Sequence, residues 1–185
     1  MKKTVATILT AAALVGSAYA QGTVTFNNSA TSLVNKWTSM TDPTPVVMPV
    51  GGGHVELLWA ATGTTDVTLF SSVSITDFHT APGRFSGGAV TVPTAVAGGG
   101  AAFVIRGWTG SSLTWAGING ATDMQGYSSI FSLAATGNPT TVPAGTPVAI
   151  TPAFTGLTVG VVPEPSSMVL AGLGAASLLM FRRRK

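Results

Sequence analysis

Cysteine is absent from the 185-residue chain, and only 8% of its residues are charged. The first absence excludes disulfides, thiol nucleophiles and cysteine-ligated zinc. The second excludes a long charged helix, a coiled coil and a charge-driven disordered chain, because a soluble domain carries about 25% charged residues. Basic residues are scarce in the middle of the chain. Lys2, Lys3, Arg182, Arg183, Arg184 and Lys185 account for six of the nine positive charges. Between residues 21 and 162, Lys36, Arg84 and Arg106 stand against Asp42, Glu56, Asp66, Asp77 and Asp123, three against five, which leaves −2. A nucleic-acid footprint is therefore missing from the body of the protein.

The ends carry the positional information. Lys2 and Lys3, the apolar stretch Val5 to Val15, and Ala18-Tyr19-Ala20 have the three parts of a secretory signal peptide. Ala18 and Ala20 supply the small residues that signal peptidase needs at −3 and −1, so residues 1–20 are expected to be removed and the mature chain to begin at Gln21. At the other end stand Val162-Pro163-Glu164-Pro165-Ser166-Ser167, a hydrophobic segment over 167–181, and the tail Arg182-Arg183-Arg184-Lys185. The fourteen uncharged residues Met168 to Phe181 reach only about 21 Å as a helix, short of a ~30 Å hydrocarbon core. Snorkelling Arg and Lys stems close part of that gap. Ala171, Gly172, Gly174, Ala175 and Ala176 make the span weakly hydrophobic. It suits a temporary hold better than a permanent anchor. The cationic tail favours the cytoplasmic side, which places residues 21–162 across the membrane. Pro163 and Pro165 hold Glu164 extended just outside it.

This order of a Pro-Glu-Pro motif (Pro163, Glu164, Pro165), a short span and a terminal basic cluster resembles the PEP-CTERM sorting signal of exported bacterial proteins. The resemblance implies recognition by an exosortase-type membrane peptidase over residues 163–185, after export by the Sec machinery and cleavage by signal peptidase. It further implies a Gram-negative bacterium that makes exopolysaccharide. The protein would dwell transiently in the inner membrane, then reach the outer membrane, cell surface or extracellular matrix.

Residues 21–162 read as a β-rich exported domain of 142 residues, long enough to bury a core without disulfides. Period-two alternation opens at Gln21-Gly22-Thr23-Val24-Thr25-Phe26-Asn27-Asn28. It recurs at Val55/Leu57/Trp59, Val67/Leu69, Val73/Ile75, Val90/Val92, Phe103/Ile105, Leu113/Trp115, Phe131/Leu133 and Leu157/Val159/Val161. Gly51-Gly52-Gly53, Pro82-Gly83, Gly87-Gly88, Gly98-Gly99-Gly100, Asn119-Gly120 and Asn138-Pro139 punctuate these runs as turns. The pattern predicts an all-β fold, an antiparallel β-sandwich or jelly roll, flanked by the signal peptide and a short C-terminal transmembrane helix. The body also resembles small exported proteins of Verrucomicrobia type that carry the same sorting signal. Their mature chains begin near Gln-Gly-Thr-Val-x-Phe-Asn-Asn and contain segments like Val55-Glu56-Leu57-Leu58-Trp59-Ala60, Phe85-Ser86-Gly87-Gly88, Phe103-Val104-Ile105-Arg106-Gly107-Trp108 and Ser128-Ser129-Ile130-Phe131. That resemblance implies an address and no activity.

Chemistry is sparse in the body. His54-x-Glu56 and Asp77-x-His79 each put an imidazole and a carboxylate on one face of a strand, a zinc arrangement if the strands were neighbours. Polar positions on solvent faces explain them more simply, so no metal or other cofactor is expected. No Gly-x-Ser-x-Gly elbow occurs, and no spacing constrains Glu56 into a glycosidase pair with an aspartate. The glycine runs lack the lysine and the strand–helix setting of a phosphate loop. Trp59 is in phase with Val55 and Leu57, and Trp115 with Leu113, which places both in the core. Trp37 lies in a polar stretch and Trp108 shares a face with Arg106, so these two are the candidates for stacking on sugar rings. The expectation is an exported surface or matrix protein, structural or adhesive, associated with exopolysaccharide and without catalysis. A cell-surface carbohydrate-binding module is the alternative and a surface hydrolase the more distant one.

Overall fold

The computed structural model describes residues 21–79 and 81–161. The expected signal peptide, the Pro163–Pro165 motif, the 167–181 span and the basic tail lie outside these residues. Among the described residues no helix is long and apolar enough to cross a membrane.

Among the described residues eleven strands follow one another: β1 Gln21–Asn27, β2 Val34–Trp37, β3 Pro45–Val47, β4 Gly53–Ala61, β5 Ser71–Asp77, β6 Ser86–Val96, β7 Ala101–Thr109, β8 Gln125–Tyr127, β9 Phe131–Leu133, β10 Val148–Ala149 and β11 Leu157–Val159. Two single turns of 3-10 helix, Val67–Leu69 and Trp115–Gly117, interrupt them. The described body is all-β, as the alternation predicts. The largest sheet has the order β5-β4-β7-β8, with β9 pairing further along the same edge of β7. The other two run β10-β1-β6 and β11-β2-β3. Most pairs are antiparallel, but β1–β10 and β2–β11 are parallel, which the antiparallel expectation did not include.

Two findings correct the strand reading. Val67 and Leu69 belong to the first 3-10 turn, Trp115 opens the second and Leu113 precedes it in a bend, so neither pair lies in a strand, and Leu69 and Leu113 are 68% and 72% exposed. An apolar pair two residues apart fits one turn of 3-10 helix as easily as a strand. Near Val67 the choice is made locally, because the Asp66 carboxylate accepts from Thr68 N at 2.9 Å and caps the turn.

In β1, Val24 and Phe26 point inward and alternate with half-exposed Thr23, Thr25 and Asn27. β7 breaks the alternation. Ala101 to Ile105 are all buried, because this central strand is covered on both faces. The main core holds Val24, Phe26, Val55, Leu57, Phe78, Phe85, Phe103, Ile105, Phe131 and Phe154. A continuous path of rings crosses it. Phe26 meets Phe85 at 4.9 Å, Phe85 meets Phe154 at 6.0 Å, Phe154 meets Phe131 at 5.9 Å, and Phe131 stacks on Phe103 at 5.9 Å. This path ties the sheet of β1 to the sheet of β7. Each contact adds about 0.5–1.5 kcal/mol beyond area burial.

Asn28 fixes the exit from β1. Its Nδ2 donates to the carbonyls of Ser32 and Gly83, each at 2.8 Å, and its Oδ1 accepts from Phe85 N at 2.9 Å. The fold closes at its far end through Gln125 and Gly160, which exchange hydrogen bonds of 2.8 and 3.1 Å and join β8 to the β11 segment.

Candidate functional site

Nine residue pairs hold β4 to β7, from Gly53 opposite Thr109 to Ala61 opposite Ala101. Since side chains alternate, Val55, Leu57 and Trp59 face the main core while His54, Glu56 and Leu58 share the other face with Trp108, Arg106 and Val104. β8 adds Gln125 beside Trp108 and Tyr127 beside Arg106, and β5 adds Asp77 beside His54 and Ile75 beside Glu56. Two rows therefore cross this outer face: Asp77–His54–Trp108–Gln125 and Ile75–Glu56–Arg106–Tyr127.

The loop from Gly110 to Asp123 folds back over the first of these rows. Thr109 and Met124 close its base, with Thr109 N donating to Met124 O at 2.9 Å and Met124 N to the Thr109 hydroxyl at 2.8 Å. Gly110 turns the chain at φ +88°, a region that favours glycine. The indole N–H of Trp108 donates to the carbonyl of Ser112 at 2.7 Å and pins the loop to the sheet. Trp115 then meets Trp108 edge-on at 5.8 Å and Tyr127 at 5.0 Å, and the Arg106 guanidinium carbon lies 4.7 Å from the Trp115 ring centre. Arg106 is held from below, its Nε donating to Glu56 Oε2 at 2.7 Å. The outcome is a half-exposed tryptophan and a 45%-exposed tyrosine standing on a buried ion pair.

This arrangement reverses part of the tryptophan assignment. Trp108 is fully buried, so it cannot offer a face to a sugar. Its phase was read correctly, since it does share the face of Arg106. What hides it is the loop carrying Trp115. Trp115 in turn leaves the core and caps the outer face. Trp37, at the end of β2, is half-buried and packed against the main core, with its ring over Gly160. Trp59 packs against the core as its phase implies. Trp115 and Tyr127 were missed as surface aromatics. Gly110, Gly117 and Gly120 around Trp115 were the available signal for a loop.

The polar pairs are also settled in space. β4 and β5 are neighbours, with His54 directly opposite Asp77. Yet Glu56 is taken by Arg106, and Asp77 bonds His79 at 2.8 Å in an exposed position. Among the described residues no group of three or more His, Cys, Asp or Glu is placed to hold a metal ion. Glu56, the carboxylate a hydrolase would need, is only 2% exposed. A separate open cleft of about 510 Å³ is lined by Ser29, Thr31, Thr151, Pro152, Phe154 and Thr155. The hydroxyls of Ser29 and Thr31 bond each other there at 2.8 Å.

The decisive feature for the cellular role lies at the C-terminal end of the sequence. Among the described residues, Gly160 is the last with a β-bridge partner, Gln125. Residues 161–185 match the PEP-CTERM protein-sorting motif. No curated protein and no solved structure matches the chain. The PEP-CTERM motif implies an exported protein that is sorted at the membrane by an exosortase-type system. Pro163, Glu164, Pro165 and the basic residues Arg182 to Lys185 all fall inside the matched stretch.

Proposed function

We propose that the protein is a surface or extracellular-matrix component, structural or adhesive toward exopolysaccharide, and without catalysis of its own. The observation that carries this reading is the sorting motif at residues 161–185, which starts directly after Gly160, the last β-bridged residue among those described. Seven residues separate Gly160 from Met168, at most about 25 Å of extended chain. The β domain is thereby carried close to the membrane until the peptidase severs it, and cleavage within 163–167 would leave every described strand in the released part. Two other features support the reading. β1 includes Gln21, so cleavage at the expected signal-peptide site would keep every described residue of that strand. The phenylalanine path between sheets suits a sandwich, a compact body that needs no cofactor. After the inner membrane, its destination is the outer membrane, the cell surface or the matrix of a Gram-negative bacterium. A surface rich in threonine and poor in charge suits many weak hydrogen bonds to neutral glycans.

The test is replacement of Pro163, Glu164 and Pro165 by alanine in the producing cells, followed by intact-mass measurement of each cell fraction. Wild-type protein is expected in the surface or matrix fraction as a species that starts at Gln21 and lacks Arg182 to Lys185. The variant is expected to be exported but to stay in the inner membrane with its tail. A variant that still reached the surface would defeat the sorting reading. A carbohydrate-binding module is the second reading, and exposed Tyr127 beside half-buried Trp115 on the β4–β7–β8 face favours it.

A further inference from the structure

We propose that the Trp115–Tyr127 platform is a binding site for a neutral oligosaccharide, with Arg106, Gln125 and the Tyr127 hydroxyl fixing its orientation. The inference rests on the exopolysaccharide reading above and gives it a location. Four observations carry it.

The first is exposure. Tyr127 is 45% exposed, and Trp115 stays half-buried and not fully covered although its ring meets fully buried Trp108. The second is rigidity. The Trp115 ring is set by the edge of fully buried Trp108 and by Arg106 beneath one face, and Arg106 is itself fixed by Glu56. A platform held this way spends little ordering entropy when a ligand arrives. The third is the polar fringe. The Arg106 Nε is committed to Glu56, but its side chain is still 20% exposed and its terminal N–H groups can donate. Gln125 and the Tyr127 hydroxyl flank the rings from β8. Apolar ring faces beside a few planar donors and acceptors match a sugar, which has an apolar C–H face and a rim of hydroxyls. The fourth is charge. Glu56 cancels Arg106, and the residues that continue the rows are Asp77, His54 and Ile75. With no excess of cations on this face, a phosphate, a nucleic acid or an acidic polymer gains nothing here.

The experiment is affinity electrophoresis of the full-length chain in a polyoxyethylene detergent, since a maltoside headgroup would compete. The gels contain hydroxyethylcellulose, galactomannan or dextran, with alginate as the acidic comparison. At least one neutral polysaccharide should retard the wild type. Trp115→Ala and Tyr127→Ala should each weaken that retardation about tenfold. Trp115→Phe should restore most of it, and Trp37→Ala should change nothing. Circular dichroism separates lost binding from lost fold, and if Trp115→Ala unfolds, Tyr127→Ala decides. Undiminished retardation in folded Tyr127→Ala and Trp115→Ala variants would place the site elsewhere and overturn the inference, while leaving the exopolysaccharide reading intact. Retardation by alginate alone would overturn the neutral-ligand assignment. A wild type that is not retarded by any of the four, yet is recovered from the matrix fraction, would overturn this site and spare the sorting reading. Absence from both the gels and the matrix would bring down both.

Discussion

Glu56 and Arg106 face each other across the β4–β7 ladder and share one hydrogen bond of 2.7 Å, but they have unequal access to water. The carboxylate side chain is 3% exposed and the guanidinium side chain 20%. Removing Arg106 leaves a buried carboxylate with no partner. Removing Glu56 leaves a cation that keeps its aromatic neighbour and some solvent. Arg106→Ala is therefore expected to cost about 3 kcal/mol or more and Glu56→Ala about half of that. Urea unfolding midpoints at constant m measure the difference. Equal losses would show that the asymmetry of burial does not matter.

Asn28 satisfies two carbonyls and one amide from separate segments, and it is 3% exposed. Asn28→Ala strands those groups in the interior. The expected loss is about 2 kcal/mol or more, because unsatisfied buried polar groups cost about 1–3 kcal/mol each and only some will find water. Thermal unfolding of the variant should show a clearly lower midpoint, and an unchanged midpoint would mean that water replaces the amide fully.

Trp108 and Trp115 touch, yet their replacements should fail differently. Trp108→Ala empties a fully buried site and is expected to cost about 3–5 kcal/mol. Trp115→Ala removes a half-exposed ring and should cost much less, with its main effect on binding. Denaturant melts of the two variants side by side provide the comparison. A Trp108→Ala protein as stable as the wild type would contradict the packing described for the outer face.

At Gly160 an added Cβ would sit 2.5 Å from the Trp37 ring. Gly160→Ala must push that ring away or loosen the Gln125 pairing, at about 1–3 kcal/mol. Hydrogen exchange at the amides of Gln125 and Gly160 should accelerate. Protection equal to the wild type at both amides would mean that Trp37 yields without disturbing the bridge.

Asp66 gives a pH signature. The Thr68 hydroxyl and backbone N–H donate to its carboxylate and hold its pKa below the ordinary 3.8. A depressed folded value stabilises the turn above 3.8, and that contribution disappears as the pH falls through the lower folded value. Carboxyl titration by NMR should place the Asp66 midpoint below 3.8, and Thr68→Val should raise it. A midpoint at or above 3.8 would remove the cap from the description of this turn.

Long alternating stretches were legible in the sequence, and short or non-local features were not. β1, β4 and β7 announce themselves because Val24/Phe26, Val55/Leu57/Trp59 and Phe103/Ile105 set bulky apolar residues at every second position within strands of seven to nine residues. β2, β3, β8 and β10 have two to four residues each and too little pattern to register. Their pairing comes from tertiary context: β10 is two residues lying parallel to Val24 and Thr25. The candidate site was hidden for a related reason. Phase places Trp108 with Arg106, but only the folded loop shows that Trp115 covers that face. The neighbourhood of His54 and Asp77 depends on strand order, which spacing along the chain does not encode. By contrast, the sorting motif is contiguous, and a contiguous signal needs no fold to be read.

Gln21 is paired to Val96, and Gly160 to Gln125. A domain cut at the expected signal-peptide site and within 163–167 would begin at one paired residue and end three to seven residues past another. Exopeptidases work by threading a free chain end into a narrow active site, and here sheet pairing would be met at one such end and within a few residues of the other. Trimming would have to wait for a ladder to unzip. The persistence of such a protein among extracellular proteases would then follow the opening rates of its terminal pairings, with sequence preference at the ends a secondary matter.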